Sequence, residues 1–537
     1  MVQTVKQLLN DKAWARWTAL ILIASMMFFA YMFVDVMSPI QALMESEKGW
    51  GPDTFGTYAA SEYIVNVMGF LIIAGIILDK MGVRFTGVLS ASMMFIGALI
   101  KLIGISDWFA TTGFHDWLNT WWVSLPASAK MACFGFMLFG CGCEMAGTTV
   151  SKAIAKWFKG KEMALAMGLE MAIARVGVFA IFSISPIIAS KFGTVVAPIA
   201  FCTVLLLIGL ITFIVFTFMD KTLDKQLGVS EEAGESEEEF KFSDLGKIFS
   251  SQVFWIVALL CVLYYSAIFP FQKYAVNMLQ CNLSFTTVDP DSFWATNTVT
   301  IIQYCIMLVV AAASFASNFS KKKSMKNGLL VLAIVALVIF CYMGYMRQSA
   351  ETVFAVFPLL AVGITPILGN YVDHKGKAAS MLVLGSILLI ACHLTFAFVL
   401  PAFKSSPVGG IFIAYLTILV LGASFSLVPA ALWPSVPKLV DAKIIGSAYA
   451  LIFWIQNIGL WLFPMLIGKV LDNTNPDLVE KLNNGLITPE EAAVSYNYTA
   501  PLVMLASLGV AALILGFVLK AVDKKKGLGL EEPNIKE

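Results

Sequence analysis

Apolar residues run along this chain in long, nearly unbroken stretches. Runs of about 20 residues recur between Trp17 and Val522, and each is about long enough to cross ~30 Å of hydrocarbon at ~1.5 Å per residue. In lipid the backbone must satisfy its own hydrogen bonds, so these runs read as helices. The pattern predicts helices over 17–43, 55–78, 84–105, 129–156, 163–189 and 194–219, then over 252–276, 293–317, 326–346, 351–371, 378–401, 410–435, 444–470 and 498–520. A polar stretch over 220–251, with the acidic run Glu231 to Glu239, divides six helices from eight. The expected organisation is an N-terminal bundle over 1–219, a solvated cytoplasmic linker over 220–251, a C-terminal bundle over 252–523 and a tail over 524–537. The first run is too long for the apolar core of a signal peptide and is expected to be retained.

The basic residues give the helices a direction. With the N-terminus in the cytoplasm, the inside loops hold Lys80, Arg84, Lys156, Lys159, Lys161, Lys321 to Lys323, Lys326, Lys375, Lys377, Lys438 and Lys443. The outside segment after Ser106 has no Lys or Arg before Lys130 and carries Trp108, Trp117, Trp121 and Trp122, the make-up of an interfacial aromatic belt. The expectation is fourteen spans, both termini inside and a place in the cell membrane. Removing one helix would put Lys321 to Lys323 on the wrong side. The polar loop from Asp472 to Tyr498 reads as a small external cap, and Lys101, near the outer end of its helix, is expected to snorkel.

Composition narrows the class. At 59% hydrophobic and 13% charged the chain is no soluble protein, and a net charge of +1 points to no nucleic-acid partner. Nine cysteines without a C-x-x-C pair, and three histidines not spaced to join them, predict buried thiols, no metal and no cofactor. No nucleophile–base set or phosphate loop is present, so an enzyme is not expected.

One short pattern occurs twice. Gly75, Asp79 and Gly82, followed by Arg84, close one apolar run; Gly369, Asp373 and Gly376, followed by Lys377, close another. Glycines at a helix end permit a tight turn and close approach. The aspartates can face a nearby base or the positive end of another helix, so the two loops read as gating latches, Asp79 with Arg84 and Asp373 with Lys375 or Lys377.

Glu144 and Arg175 are a second signal, because intramembrane charges are costly and mark a site or a pair. Glu144 lies 16 residues before Gly160 and Arg175 lies 15 after it, so both sit about 22–24 Å from the turn of a helical hairpin. An acid and a base at one depth can grip the two ends of a zwitterion; the alternative is a structural ion pair. Asp35 reads as an entrance or proton site. Glu62 near the outer face is expected to be solvated, and Glu170 and Lys152 could pair at a shallower level. Tyr264, Tyr265, Gln456 and Asn457 are candidate cavity residues of the second half.

The duplicated loop resembles the signature of the major facilitator superfamily. The run Trp157-Phe158-Lys159-Gly160-Lys161-Glu162, the element Ala174-Arg175-Val176-Gly177, Tyr264-Tyr265, Ala431-Leu432-Trp433-Pro434 and Gln456-Asn457-Ile458-Gly459 resemble in particular its branch of lysosomal dipeptide transporters. The resemblance implies an all-α fold of two pseudo-symmetric six-helix bundles working by alternating access, here with two further helices at about 293–346. It also implies facilitated dipeptide movement, with Glu144 and Arg175 on the charged ends of the substrate, and a small molecule as the partner of a monomer in the bilayer. The rivals are a proton-coupled symporter of an amino acid or organic anion, using Asp35 or Glu144, and a non-transporting membrane sensor or scaffold.

Overall fold

The computed structural model of the chain describes residues 8–159, 161–227, 246, 248–286, 288–289, 291–320, 322–439 and 445–533. Gly160, the acidic run Glu231 to Glu239, Lys321 and Lys443 lie outside the described residues. The principal helices are α1 (Ala13–Asp35), α2 (Pro52–Val65), α3 (Leu71–Ile105), α4 (Ala127–Phe158), α5 (Met163–Phe192), α6 (Val196–Leu227) and α7 (Gln252–Asn282). They continue with α8 (Asn297–Phe319), α9 (Lys323–Met346), α10 (Ala350–Lys375), α11 (Ala378–Leu394), α12 (Pro407–Leu439), α13 (Ile445–Thr474) and α14 (Thr499–Lys526). Thirteen segments among the described residues are long and apolar enough to cross a membrane. One of them, Pro52–Ile105, is 54 residues long and breaks at Gly82, where the backbone turns to φ 72°, ψ 174°.

Helix ends follow local chemistry. The run expected over 17–43 divides after Asp35 because Pro39 has no amide to donate. A single 3-10 turn, Ser38–Ile40, and a short helix, Gln41–Lys48, follow it. Ser251, Thr296 and Ser349 cap α7, α8 and α10, each hydroxyl accepting from the amide three residues on. The expected boundary at residue 219 is passed, since α6 continues to Leu227. Asp220 and Asp224 therefore stand one turn apart on a single helix face.

The chain forms two compact units. The first holds residues up to Val36, Ser61–Val178 and Val196–Phe240. Its core is the pairing of α3 with α4, with α6 packed on α1 and on α3. A Cβ on Gly135 would lie 2.4 Å from the Gly97 carbonyl oxygen, and one on Gly97 would lie 2.5 Å from that of Gly135. Two glycines facing each other let the α3 and α4 backbones touch. Lys101 is fully buried on this seam, its Nζ 4.3 Å from the Phe33 ring centre and 4.7 Å from that of Phe136. It does not snorkel: the electron-rich ring faces attract the ammonium and substitute for water.

The second unit holds Met37–Ala60, Phe179–Val195 and the chain from Lys241 onwards. Here α7 packs on α13 and α14, α11 on α12 and α14, and α10 on α12. The pair α8–α9 is joined to this set chiefly through α10. The short helix Gln41–Lys48 packs on Pro489–Ala493 of the 472–498 loop, and the Tyr496 hydroxyl donates to Glu45 Oε1 at 2.6 Å. A Cβ on Gly56 of α2 would meet the Pro464 carbonyl at 2.4 Å, and one on Gly468 would meet that of Pro52 at 2.3 Å. Tyr274 donates to both of those carbonyls.

Candidate functional site

In the first unit, four helices bring an ionisable cluster together. Asp35 is the last residue of α1 and is 2% exposed; Tyr31 stands one turn before it. Arg175 of α5 lies over the Tyr31 ring, its Cζ 5.7 Å from the centroid. The close approach of α5 to α1 that allows this is made at Gly177, where a Cβ would lie 2.6 Å from the Phe28 carbonyl. The Tyr31 hydroxyl is within electrostatic reach of Arg175, Glu170 and Glu144 together. Tyr63 of α2 in turn senses Glu62, Glu144 and Asp35. Glu144 of α4 is thus within electrostatic reach of two tyrosines, and sequence reasoning missed both. A tyrosine in an apolar run looks like packing, and only the fold shows which face it takes.

Glu144 is half-buried, and among the described residues it makes no ion pair and accepts no hydrogen bond. Structural pairing of Glu144 with Arg175 therefore does not occur, since no contact within 4.0 Å joins them. Glu62 is 5% exposed on α2, where Gly140 lets α4 approach, so it is buried and not solvated as expected. Asn66 donates to the carbonyls of Glu62 and Gly140 at 3.5 and 3.4 Å and ties the two helices at this level.

The first repeated loop joins a network of charges. Asp79 accepts from Lys152 at 3.0 Å, and Lys152 is thereby committed to the loop and not to Glu170. Arg84 binds Asp224 and Asp220, the latter at 3.3 Å. Lys156 joins Asp220 at 2.9 Å and Asp224 at 2.6 Å, and Trp157 Nε1 donates to Asp220 at 2.9 Å. The Trp157 to Glu162 run has a structural use: Glu162 pairs with Arg16 at 3.1 Å and Lys161 with Asp11 at 2.7 Å. The Lys161 ammonium and the Leu8 amide hold the Asp11 carboxyl below the usual carboxylate range. Glu162 is likewise lowered, first by its own backbone amide and then by Arg16.

In the second repeat, Gly376 takes φ 72°, the same value as Gly82, and Lys377 takes φ 68°. This left-handed backbone favours glycine. The segment after α14 wraps the turn. Glu531 accepts from the Lys377 amide through its carbonyl, and its carboxylate caps Ser380 at the amide (2.7 Å) and the hydroxyl (2.8 Å). Lys438 donates to the carbonyl of Gly529 and Lys520 to the Ser380 hydroxyl. Gly75 and Gly369 lie in open space, and Asp373 is half-buried on α10.

Of the second-unit candidates, Tyr264 is fully buried, with its hydroxyl on the Leu382 carbonyl and the Ser386 hydroxyl. Gln456 accepts from Cys261 Sγ. Asn457 donates to Phe453, while its Oδ1 is buried with no partner. Tyr265 stacks on Phe269, and its hydroxyl accepts from Trp433 Nε1 at 3.2 Å. Trp433 stacks on Phe453 at 4.8 Å, which makes this group an aromatic wall. Among the described residues no set of His, Cys, Asp or Glu is arranged for a metal.

A family model, that of the Major Facilitator Superfamily, matches residues 20–350. The chain belongs to the major facilitator superfamily. It is a multi-pass membrane transporter and not an enzyme. Its sequence is 24% identical over 408 residues to the lysosomal dipeptide transporter MFSD1 of Bos taurus, covering 74% of this chain and 67% of that protein. It is also 24% identical over 456 residues to the Danio rerio protein of the same name, covering 83% and 78%. Among solved structures it is similar to the nucleoside transporter NupG (TM-score 0.59, 11% identity, covering 94% and 99%). A bacterial homolog of the human lysosomal transporter Spinster gives TM-score 0.60 at 11% identity, covering 95% and 98%. PepTSo2 gives 0.56 at 13%, covering 96% and 100%. These likenesses carry the superfamily's all-helical fold.

Proposed function

We propose that this superfamily member moves small zwitterionic solutes, dipeptides foremost, down their gradient by alternating access. The observation that carries the reading is Glu144: an intramembrane carboxylate that makes no ion pair among the described residues, grouped with Arg175 around Tyr31. Glu144 takes the amino end of the substrate and Arg175 the carboxylate. Broad similarity to transporters named for dipeptides supports this substrate class. Within the second unit, the aromatic wall of Tyr265 and Trp433 and the orphaned Asn457 Oδ1 are its own candidate ligand contacts. The Asp79–Lys152 and Arg84–Asp224 pairs act as latches, with the turn at Gly376 as their counterpart.

We further read fourteen crossings. The 54-residue segment is about 80 Å long as helix, enough for two spans with the turn at Gly82. Both termini then face the cytoplasm, the linker joins the bundles on that side, and α8–α9 is an inserted pair. The deciding experiment is uptake of a labelled dipeptide into proteoliposomes. Glu144→Gln and Arg175→Gln should each reduce it at least tenfold; uptake at the wild-type rate in either variant removes the site.

Proton coupling is the second reading, favoured by the grouping of Asp35, Glu62 and Glu144 around Tyr63. An imposed pH gradient would then drive accumulation above the equilibrium level, whereas the facilitative protein only equilibrates.

A further inference from the structure

The junction of the α8–α9 pair with the rest of the second unit encloses a cavity of about 50 Å³. Ser183 of α5, Gln303 and Tyr304 of α8, Arg347, and Glu351 of α10 are among its lining residues. The α9–α10 turn is three residues long, Arg347 to Ser349, with Gln348 in the left-handed region at φ 47°. So tight a turn directs Arg347 and Ser349 into the same space. Arg347 is half-buried and donates to Gln303 Oε1 at 2.8 Å. Among the described residues no carboxylate lies within ion-pair distance of it. The acid that shares the cavity, Glu351, has both oxygens occupied by neutral donors: Gln280 at 3.1 Å and Ser349 at 2.8 Å. Burial pushes the Arg347 guanidinium down from its usual pKa, as expected of a cation that has lost water without gaining a counter-charge. The Ser183 hydroxyl, from another helix, is buried with no hydrogen-bond partner. The N-terminal end of α10 adds partial positive charge at the same place.

We propose that this cavity binds a small inorganic anion of about chloride size, held by the Arg347 guanidinium and the Ser183 hydroxyl. The volume decides the class. A water needs about 10–15 Å³ measured in this way, so there is room for one monatomic ion and one or two waters, and none for a dipeptide. The occupant would join α5, α8 and the α9–α10 turn, pinning the α8–α9 pair to the unit that carries it.

The test uses the full chain purified in detergent, with sodium chloride compared to sodium gluconate at equal ionic strength. The melting temperature of the wild type should rise by a few degrees in chloride, saturably, because a ligand of the folded state stabilises by mass action. Arg347→Gln should lose the response and Arg347→Lys should keep it with a higher midpoint. If Arg347→Gln does not fold, Ser183→Val serves instead and should raise the midpoint at least fivefold with the charge left in place. Equal melting temperatures of the wild type in the two salts would overturn the proposal. So would a chloride response in Arg347→Gln, or in Ser183→Val where that variant serves, equal to that of the wild type.

Discussion

A carboxylate on a membrane helix that touches no cation carries a desolvation cost of several kcal/mol, and Glu144 bears it on α4. Arg175 is steadied differently, over the face of Tyr31. A guanidinium on an aromatic face gains about 0.5–2 kcal/mol, and the proposed function makes that contact part of substrate positioning. Tyr31→Phe, which keeps the ring, should leave the KM for dipeptide within twofold of wild type. Tyr31→Ala should raise it about fivefold or more, and uptake kinetics in proteoliposomes read the difference. An equal effect of both changes would assign the role to the hydroxyl and its proton. Sequence spacing leads to the expectation that Glu144 and Arg175 stand at equal depth on successive helices, because a short turn joins them. It cannot decide whether the two side chains pair with each other, since that depends on how each helix is rotated. Lys101 shows the same limit. Its position near a helix end suggests snorkelling, but its burial comes from Phe33 and Phe136, which lie on two other helices.

At the scale of elements, α3 and α4 meet through Gly97 and Gly135 with backbone against backbone. A methyl group there has nowhere to go, and overpacking of this kind costs about 1–3 kcal/mol. Gly135→Ala should lower the melting temperature by several degrees in a thermal-shift assay, while Gly147→Ala on the same helix, where the space is open, should not. The turn between α4 and α5 is tied to the start of α1 by Asp11–Lys161 and Glu162–Arg16. Both acids have lowered pKa values, so their contribution is complete above the ordinary values of 3.8 and 4.5 and is lost as pH falls through the lower folded values. A melting profile from pH 6 down to pH 3 should show a loss of stability at the acid end that is smaller in Asp11→Asn/Glu162→Gln. An identical acid slope in the variant would show that the ties contribute nothing. The apolar pattern made most of the helices legible, yet it stopped α6 at residue 219. Asp220 and Asp224 look like linker in a hydropathy reading because charge usually marks the end of a span. Their partners, Arg84 and Lys156, are on other helices and leave no trace nearby in the chain.

At the scale of the whole molecule, alternating access requires seams that close fully and also part. On the proposed cycle Gly56 and Gly468 would form one, with Tyr274 bonded to the carbonyls of Pro52 and Pro464. Gly468→Leu should prevent closure, so that dipeptide still raises the melting temperature while proteoliposome uptake falls at least tenfold. Loss of both readouts together would mean that the change damages folding and not movement. The duplicated glycine–aspartate loop is the sequence's argument for two halves, and Gly82 and Gly376 share one backbone φ in the structure. What surrounds them was not legible. The Gly376 turn is covered by a segment whose contacts are specified across a very long interval of chain.

That interval has a consequence in time. Ser380 donates its amide to the Glu531 carboxylate, 151 residues further along. At about 5–20 residues per second the ribosome takes roughly 8–30 s to reach it. Throughout that interval the Ser380 amide at the start of α11 is without this cap. The second unit therefore cannot finish folding in step with insertion, and a protein fused directly after residue 533 would delay the step that completes it.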